Sequence, residues 1–312
     1  MLTRPFIEIE QHPVYTGEYN IFTAEIENAL KITKKIISNR IPGIIICGEP
    51  RVGKTRAIQL IRKDLFNTFG DALPVFTHLM TEHEHTSNVF YRELLLDLGC
   101  GNHNKGTGVE KKEKVIGFLV EKGLSARLKK VILIIDEANC LIKKEYYWLM
   151  DIYNRLKDVG INMTVILVGT PNLIGKRADF MENKEMQIIG RFMVKVYNFK
   201  GIRNIKDLQR CLSWYDIGAA CEYPIGSGWS FTRYFFPEAF EKGKRISSET
   251  KILSDLLNNS FSINEIPMMY LCLIIDCLFK RCGSDGLEKE WVTVDDWKTA
   301  IDDSCIFDAC NF

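Results

Sequence analysis

The feature that most constrains this chain is a complete phosphate-binding loop at residues 48–55, with the sequence Gly-Glu-Pro-Arg-Val-Gly-Lys-Thr. It follows the apolar run Ile44 to Cys47, which is typical of a buried strand. It precedes the stretch Arg56 to Phe69, whose apolar residues recur at helical spacing. A strand, a loop and a helix in this order predict a nucleotide site, whereas an isolated Gly/Pro turn lacks that context.

The loop predicts the chemistry of the bound nucleotide. Its glycines let the backbone curve so closely that successive N–H groups point at phosphate oxygens, and the N-terminus of the next helix faces the same anion. Lys54 is expected to reach the terminal phosphates, and Thr55 is expected to offer its hydroxyl to magnesium. We therefore predict ATP and Mg²⁺ as cofactors. The predicted nucleotide-binding residues of this segment are Gly48, Glu49, Pro50, Arg51, Val52, Gly53, Lys54, Thr55 and Arg56.

Strand and helix patterns alternate after the loop, which predicts an α/β fold with a doubly wound parallel sheet. Two runs, Val131 to Ile135 and Met163 to Val168, are apolar throughout, as strands buried on both faces of a parallel sheet require. The other predicted elements are strands at Leu73 to Leu79 and Met193 to Val196, and helices at Val89 to Leu98, Glu110 to Leu128 and Lys143 to Val159.

Beyond about residue 200 the pattern becomes helical, which predicts two domains: residues 1–200, an α/β nucleotide-binding domain with a short N-terminal segment, and residues 201–312, a small helical lid. A segment rich in Gly, Pro and aromatic residues, 222–245, interrupts the lid. It either packs on the lid or presents a surface to partners, and the large area of its aromatic side chains favours packing. The predicted lid helices are Ile205 to Cys221, Ser248 to Asn259, Ile266 to Cys282 and Val294 to Asp302.

Composition excludes few functions. The net charge of the 312 residues is +1, so a DNA-binding surface would have to be a local patch. No signal-peptide core and no apolar stretch of about 18 residues is present, so we expect a cytoplasmic protein with no membrane span. The ten cysteines contain no CxxC pair and are expected to be reduced core residues.

One group of metal-ligand types occurs at His83, His85, Cys100 and His103. Their spacing matches no standard zinc pattern, and polar loops that flank a helix explain the same residues. That interpretation is favoured.

Polar residues follow the two apolar strands where catalytic groups would be needed. The carboxyl ends of parallel strands gather at one edge, so Asp136, Glu137 and Thr170 should converge on the phosphate loop. Asp136 is predicted to hold magnesium with Thr55, and Glu137 to orient and polarise the attacking water. Thr170, with Asn172 as a second candidate, is predicted to sense the terminal phosphate, although a plain turn would have the same sequence.

Arg191 lies just before the predicted last strand, at the far edge of the domain. An arginine there can reach the nucleotide of a neighbouring subunit and stabilise charge in the transition state. A surface arginine at a strand start is the alternative. The catalytic residues predicted from the sequence are thus Lys54, Glu137, Thr170 and Arg191.

These motifs together resemble the AAA+ ATPases, and within that class the TnsC/TniB family of transposition regulators associated with RNA-guided targeting. The segments that carry the resemblance are the phosphate loop, 73–75, 90–95, Ile134 to Asn139, Leu167 to Pro171, Arg191-Phe192, Tyr215-Asp216, Tyr223-Pro224 and 236–240. The resemblance covers most of the chain.

The resemblance implies an ATPase that assembles on double-stranded DNA as rings or helical filaments and links a target selector of TniQ type to the transposase. Hydrolysis would then drive disassembly. Lys54, Thr55, Asp136, Glu137 and Arg191 would take the roles given above. The chain departs from the pattern in the lid, because Ser262 to Met269 contains no arginine for a second sensor. That sensor is either missing or supplied by Arg245 or Lys251.

Lys105, Lys111, Lys112 and Lys114, in and after the Gly-rich loop that begins at residue 101, are the candidate DNA contacts. A solvated helix face that alternates Lys and Glu is the favoured interpretation of the same residues. Two other functions are considered. One is a P-loop switch that acts only through protein partners, and the other is a small-molecule kinase, which Glu137 and Arg191 disfavour because they suit attack by water and a neighbouring subunit.

Overall fold

The computed structural model describes residues 4–260 and 265–310. Within these residues, five parallel strands form one sheet in the order β2-β3-β4-β1-β5. The strands β1 and β3 are buried along their whole length, and β4 is buried after its first residue, so helices cover both faces. The predicted α/β fold with a parallel sheet is confirmed. The strands are β1 (Gly43–Cys47), β2 (Val75–Leu79), β3 (Lys130–Asp136), β4 (Asn162–Gly169) and β5 (Lys195–Asn198).

The helices occupy most of the positions that periodicity predicted. They are α1 (Pro13–Thr16), α2 (Ala24–Ser38), α3 (Lys54–Phe69), α4 (Ser87–Asp97), α5 (Gly108–Ser125), α6 (Lys143–Asp158), α7 (Asn172–Glu182), α8 (Met186–Phe192), α9 (Ile205–Ile217), α10 (Phe231–Phe235), α11 (Pro237–Glu241), α12 (Thr250–Ser260), α13 (Met268–Cys282), α14 (Val294–Asp303) and α15 (Ile306–Cys310). Several begin at a side-chain cap; the hydroxyls of Thr86, Thr107 and Thr293 accept N–H bonds from the first turns of α4, α5 and α14.

The last strand begins two residues later than the sequence predicted. Met193 is fully buried but lies after a helix, α8, whose residues Ile188 and Phe192 belong to the core of the sheet domain. The apolar residues before β5 therefore serve helix packing, and a short helix cannot be told from a strand by periodicity alone.

The chain divides into two compact units. The α/β unit comprises residues 28–50 and 54–199, and the helical unit comprises the described parts of 1–27, 51–53 and 200–312. The sequence assigned the N-terminal segment to the nucleotide-binding domain. In the structure this segment packs in the helical unit instead, because Val14 and Ile21 belong to the hydrophobic core of that unit.

The aromatic segment 222–245 is packed, as its sequence favours. Its residues Phe231 and Phe235 are at most 1% exposed, and α10 and α11 lie within it. Tyr234 stacks on the buried ring of His12, with 4.5 Å between ring centroids. The segment therefore contributes to the core of the helical unit.

The described cysteines form no disulfide, in agreement with reduced thiols. In the same residues, no helix has both the length and the apolar character needed to cross a bilayer.

A buried carboxyl group lies in the core of the helical unit. Asp276 is 5% exposed, and its Oδ1 accepts a 2.8 Å hydrogen bond from the Tyr19 hydroxyl. The Tyr19 hydroxyl also lies 3.0 Å from the hydroxyl of Tyr215. Burial raises the pKa of Asp276 to about 7, and the bond from Tyr19 only partly offsets that effect. The folded state therefore holds a proton that the unfolded state releases at a lower pH.

We expect Asp276→Asn to change how stability depends on pH. Because the folded pKa is raised from 3.8 to about 7, the wild type loses stability as the pH rises through this window. A shift of this size corresponds to roughly 4 kcal/mol. The asparagine side chain cannot ionise, so the difference in unfolding free energy between variant and wild type should grow in favour of the variant from about pH 5 to about pH 7.5. Urea denaturation at both pH values measures it.

The exposed Asp255 on α12 provides a matched control, because Asp255→Asn removes a carboxyl of the same unit that is in contact with water. The difference in unfolding free energy between Asp255→Asn and the wild type should be the same at both pH values. Equal pH slopes for wild type and Asp276→Asn would contradict the assignment.

Candidate active site

The phosphate loop begins where the central strands β1 and β4 end. Cys47 pairs with Gly169, and the Gly48 N–H donates to the Gly169 carbonyl oxygen at 3.2 Å. A Cβ at Gly48 would come within 2.2 Å of the Phe199 carbonyl oxygen, so this close approach requires glycine. Gly53 has a φ of +105°, which also requires glycine. The loop geometry therefore depends on the two glycines that the motif prescribes.

The remaining residues of the phosphate loop differ in their exposure to solvent. Glu49, Pro50 and Arg51 are exposed, and Arg51 adopts a left-handed φ of +66°. Val52 is 3% exposed. Arg56 lies on the first turn of α3, where its guanidinium donates to Gln59 Oε1 at 3.3 Å.

Lys54 lies inside the curve of the loop. Its Nζ donates to the carbonyl oxygens of Gly48 and Glu49, both at 2.8 Å, and the residue is 7% exposed. Burial lowers the pKa of the ammonium, while the charges of Glu137 and Asp136 act in the opposite direction. The ammonium is thus placed among the groups that would surround a triphosphate.

The two predicted magnesium ligands are hydrogen-bonded to each other. Thr55 Oγ1 donates to Asp136 Oδ2 at 3.1 Å, and the Glu137 N–H donates to Asp136 Oδ1 at 3.0 Å. Burial raises the pKa of Asp136. Hydroxyl and carboxylate oxygens are the donor types that Mg²⁺ prefers, so this pair fits that ion.

Glu137 follows directly after β3 in an uncommon backbone conformation. Its φ is +50°, in the left-handed region, and it precedes a single 3₁₀ turn at Ala138–Cys140. A non-glycine residue in this region costs roughly 1 kcal/mol or more and often marks a functional site. The turn leaves the side chain half-buried beside Asp136.

Asn139 holds the turn that carries Thr170. Its Oδ1 accepts the Thr170 N–H at 3.0 Å, and a Cβ at Gly169 would lie 2.4 Å from the same oxygen. The Thr170 Oγ1 is buried and has no hydrogen-bond partner among the described residues. Asn172, the second candidate sensor, is exposed at the start of α7. Asn139 ends the Asp-Glu-Ala-Asn motif, and no role was predicted for it. The sequence feature that could have indicated a role is the amide side chain three residues after Asp136.

Arg191 lies away from these residues. It occupies the last turn of α8, where its Nη1 donates to the Gln187 carbonyl oxygen at 3.1 Å and its guanidinium lies 5.7 Å from the Tyr153 ring centroid. Its backbone touches the start of β1, because a Cβ at Gly43 would lie 2.4 Å from the Arg191 carbonyl oxygen. The phosphate loop follows the other end of β1, about 13 Å further along at the usual rise per residue.

The predicted DNA-contacting lysines are only partly available. Lys111 is 2% exposed, and its Nζ donates to Asn88 Oδ1 at 2.7 Å, so its prediction as a DNA contact is wrong. Lys112 forms a 2.7 Å ion pair with Asp151 on α6. Lys105 and Lys114 are exposed, and Lys114 Nζ donates to the Lys105 carbonyl oxygen at 3.1 Å.

The candidates for a second sensor lie in the helical unit. Of the lid segment from Ser262 to Met269, residues 262–264 lie outside the described part of the chain. Arg245 uses its Nη1 on the carbonyl oxygens of Phe240 and Lys244, and its guanidinium lies 3.6 Å from the Phe240 ring centroid. Lys251 is exposed near the start of α12. Arg245 is therefore engaged in packing within the helical unit.

Comparison with known proteins identifies the nucleotide-binding part. Residues 42–176 match the family model described as the AAA domain. A chain of the Drosophila ORC bound to DNA is similar in structure, with a TM-score of 0.54, 14% sequence identity, and coverage of 96% of this chain and 69% of that chain. The Aeropyrum pernix ORC1 protein in complex with DNA has 13% identity, coverage of 95% and 88%, and a TM-score of 0.48.

Cdc6p from Pyrobaculum aerophilum has 13% identity, coverage of 94% and 83%, and a TM-score of 0.43. Comparison with curated protein sequences gives no match. At these identities the solved structures indicate the fold alone, and of the three described here the Drosophila chain, with a TM-score of 0.54, supports that inference. The protein therefore contains an AAA domain at residues 42–176 and has an AAA+ α/β fold with a helical C-terminal region.

Proposed function

We propose that this protein is an ATP hydrolase that assembles with ATP on double-stranded DNA as an oligomer, ring or filament. It links a target selector of TniQ type to a transposase, and hydrolysis drives disassembly. The observation that most supports the proposal is the placement of Thr55, Asp136 and Glu137 at one edge of the sheet while Arg191 lies at the other. An arginine so placed serves the site of a neighbouring subunit.

The residues at the sheet edge fit ATP and magnesium. The backbone of Gly48 and Gly53 forms the phosphate cradle, Lys54 contacts the terminal phosphates, and Thr55 and Asp136 hold the ion. Bound magnesium neutralises charge that develops on the phosphate oxygens.

Hydrolysis also requires a positioned water. The Glu137 carboxylate, beside Asp136 and fixed by the left-handed turn, orients and polarises that water. The Thr170 hydroxyl senses the terminal phosphate, because its buried oxygen has no partner among the described residues and its backbone is held by Asn139.

DNA binding is supported by the fold and by the resemblance to the TnsC/TniB family. The structurally similar Drosophila chain belongs to an ORC bound to DNA, and we extend that property to this protein. Lys105 and Lys114 are the exposed candidates for phosphate contacts in the loop before α5 and on α5. Such contacts position a protein on DNA without selecting a sequence.

A P-loop switch that acts only through protein partners is the alternative. One observation favours this alternative. Two of the four candidate DNA-contacting lysines, Lys111 and Lys112, bind other residues of the same chain. A surface that contacts phosphate would be expected to keep its cations free.

The experiment that separates the two is ATP-dependent binding to double-stranded DNA of increasing length, with electron microscopy of the same samples. Cooperative, length-dependent coating that needs ATP is expected. ATP binding without DNA association at any length would replace the proposal with the protein-only switch.

We expect Glu137→Gln to bind ATP normally and to hydrolyse it at least about a hundredfold more slowly, because magnesium ligation survives while water activation is lost. Assemblies on DNA should persist after ATP is added. Lys54→Ala is the companion variant and should lose ATP binding itself. Wild-type turnover by Glu137→Gln would assign the base to another residue.

We expect Arg191→Ala to lose assembly-dependent hydrolysis while it still binds ATP, because its own loop lies at the opposite edge of the sheet. Mixing it with Lys54→Ala should restore part of the rate, since one partner supplies an intact arginine and the other an intact loop. Arg155→Ala, a change of an exposed arginine on α6, is the control and should behave as the wild type. Failure of every mixing ratio would count against a role in trans.

We expect Lys105→Ala combined with Lys114→Ala to weaken DNA binding equally for all sequences. The slope of log affinity against log salt should become shallower by about one for each phosphate that is no longer neutralised. Fluorescence anisotropy at several salt concentrations measures both. Lys157→Ala, which removes an exposed lysine on α6, is the control. An unchanged affinity and slope in the double variant would exclude this surface.

A further inference from the structure

Two histidines and one glutamate meet in the α/β unit. His83 and His85 lie in the loop between β2 and α4, and Glu145 lies in the first turn of α6. Glu145 Oε1 is 3.0 Å from His83 Nε2 and 3.0 Å from His85 Nδ1, and the three ligand atoms all lie within 4.8 Å of one another. The carboxylate is fully buried. A buried charge of this kind requires a compensating group.

The second ring nitrogen of His83 fixes which atom is available as a ligand. His83 Nδ1 lies 2.9 Å from the Thr81 carbonyl oxygen, which can only accept, so Nδ1 carries the proton. In the neutral ring, Nε2 then presents its lone pair to the Glu145 oxygen. Metal-ligating histidines usually donate their other N–H to a carbonyl or carboxylate in this way. Glu93 Oε2 lies 3.4 Å from the same Nδ1 but forms no hydrogen bond with any described residue.

The carboxylate is oriented in the same manner. Glu145 Oε2 accepts the Ile142 N–H at 2.9 Å as part of the cap of α6, which leaves Oε1 to face both imidazoles. Three atoms that bear lone pairs thus surround one point. A cation at that point would satisfy all three.

The donor set and its spacing suit zinc. Zinc binds imidazole nitrogen at about 2.0–2.1 Å and carboxylate oxygen at about 2.0–2.2 Å, so tetrahedral donors lie about 3.3 Å apart. The two separations from Glu145 Oε1, 3.0 Å each, are close to this value, and the two histidine nitrogens lie within 4.8 Å of each other. Two nitrogens and one oxygen favour a borderline transition metal over Mg²⁺ or Ca²⁺. The His85 side chain is 39% exposed, which gives an ion access from solvent.

We propose that His83, His85 and Glu145 bind one divalent transition-metal ion, Zn²⁺ in the first place. The ion fastens the β2–α4 loop to α6, and its fourth position is open to water or to a ligand. The fastened loop starts at Met80, whose N–H donates to the Asp136 carbonyl oxygen at 3.0 Å. This site is independent of the ATPase and DNA-binding roles proposed above.

The sequence pattern grouped His83 and His85 with Cys100 and His103 and favoured polar loops. The structure retains the two histidines of the first pair but supplies Glu145 as the third ligand. Glu145 lies 60 residues beyond His85, so no short spacing could reveal it.

The test uses the full chain without a histidine tag, treated with a chelator, reloaded with Zn²⁺ and dialysed. Elemental analysis should find one zinc per wild-type chain and less than a tenth of that in His85→Ala and in Glu145→Gln. In Glu145→Gln the amide oxygen can still accept the Ile142 N–H bond that caps α6. In His85→Ala no buried cavity forms, because the His85 side chain is partly exposed. His103→Ala, a histidine outside the group, is the matched control and should retain one zinc.

Three further measurements guard against unfolding and against binding by thiols. Zn²⁺ should raise the melting temperature of the wild type and of His103→Ala but not of His85→Ala. A metal ion stabilises the native state only if it binds that state in preference to the unfolded chain. Circular dichroism without metal checks that the variants fold. Co²⁺ in place of zinc should give visible ligand-field bands without a sulfur charge-transfer band.

Equal zinc content in wild type and His85→Ala would overturn the proposal. So would removal of all zinc by dialysis, which would assign the group as an ion pair between protonated histidine and Glu145. A sulfur charge-transfer band with Co²⁺ would place the ion on cysteine and would contradict the site equally.

Discussion

The pairing of β1 with β4 at the centre of the sheet decides where the candidate active-site residues lie. In this register Cys47 faces Gly169, so the phosphate loop and the Thr170 turn leave the sheet side by side, joined by the Gly48 N–H bond to Gly169. A shift of one residue would break that bond and turn every side chain of the strand to the other face. Both strands are apolar because both faces are covered.

The same sheet explains why Arg191 lies apart from the other predicted catalytic residues. Residues at the carboxyl ends of strands share one edge, whereas the last turn of α8 brings Arg191 to the start of β1. A sheet of parallel strands thus separates groups that follow strands from groups that precede them. An oligomer in which the two edges of adjacent subunits meet would bring these groups together, and this is the physical basis of the proposed dependence on assembly.

The sequence predicted the sheet and the phosphate loop well because their signals are local. A run such as Ile132 to Ile135 has few alternatives to a buried strand, and the glycine positions of the loop follow from close backbone approaches. Several helices were not predicted, among them the 15-residue α2, and α7 and α8, which lie between Gly169 and β5 where turn residues and apolar residues alternate. The N-terminal segment was assigned to the nucleotide-binding domain, although it packs in the helical unit. The residues that it contacts, such as Tyr234 for His12, are distant in sequence.

Some side-chain roles could not be predicted from local sequence patterns. In each case the role depends on a contact with a residue of another helix, strand or loop. Lys111 resembles its solvated neighbours in sequence, yet Asn88 on α4 binds it and removes it from the surface. Asn139 becomes important only because β4 ends beside it, and Glu145 only because the β2–α4 loop folds onto α6. Thr55 and Asp136 provide oxygen donors, whereas His83 and His85 provide nitrogen, so the two groups favour different ions. Magnesium therefore suits the proposed nucleotide site, and a transition metal suits the proposed site on the β2–α4 loop.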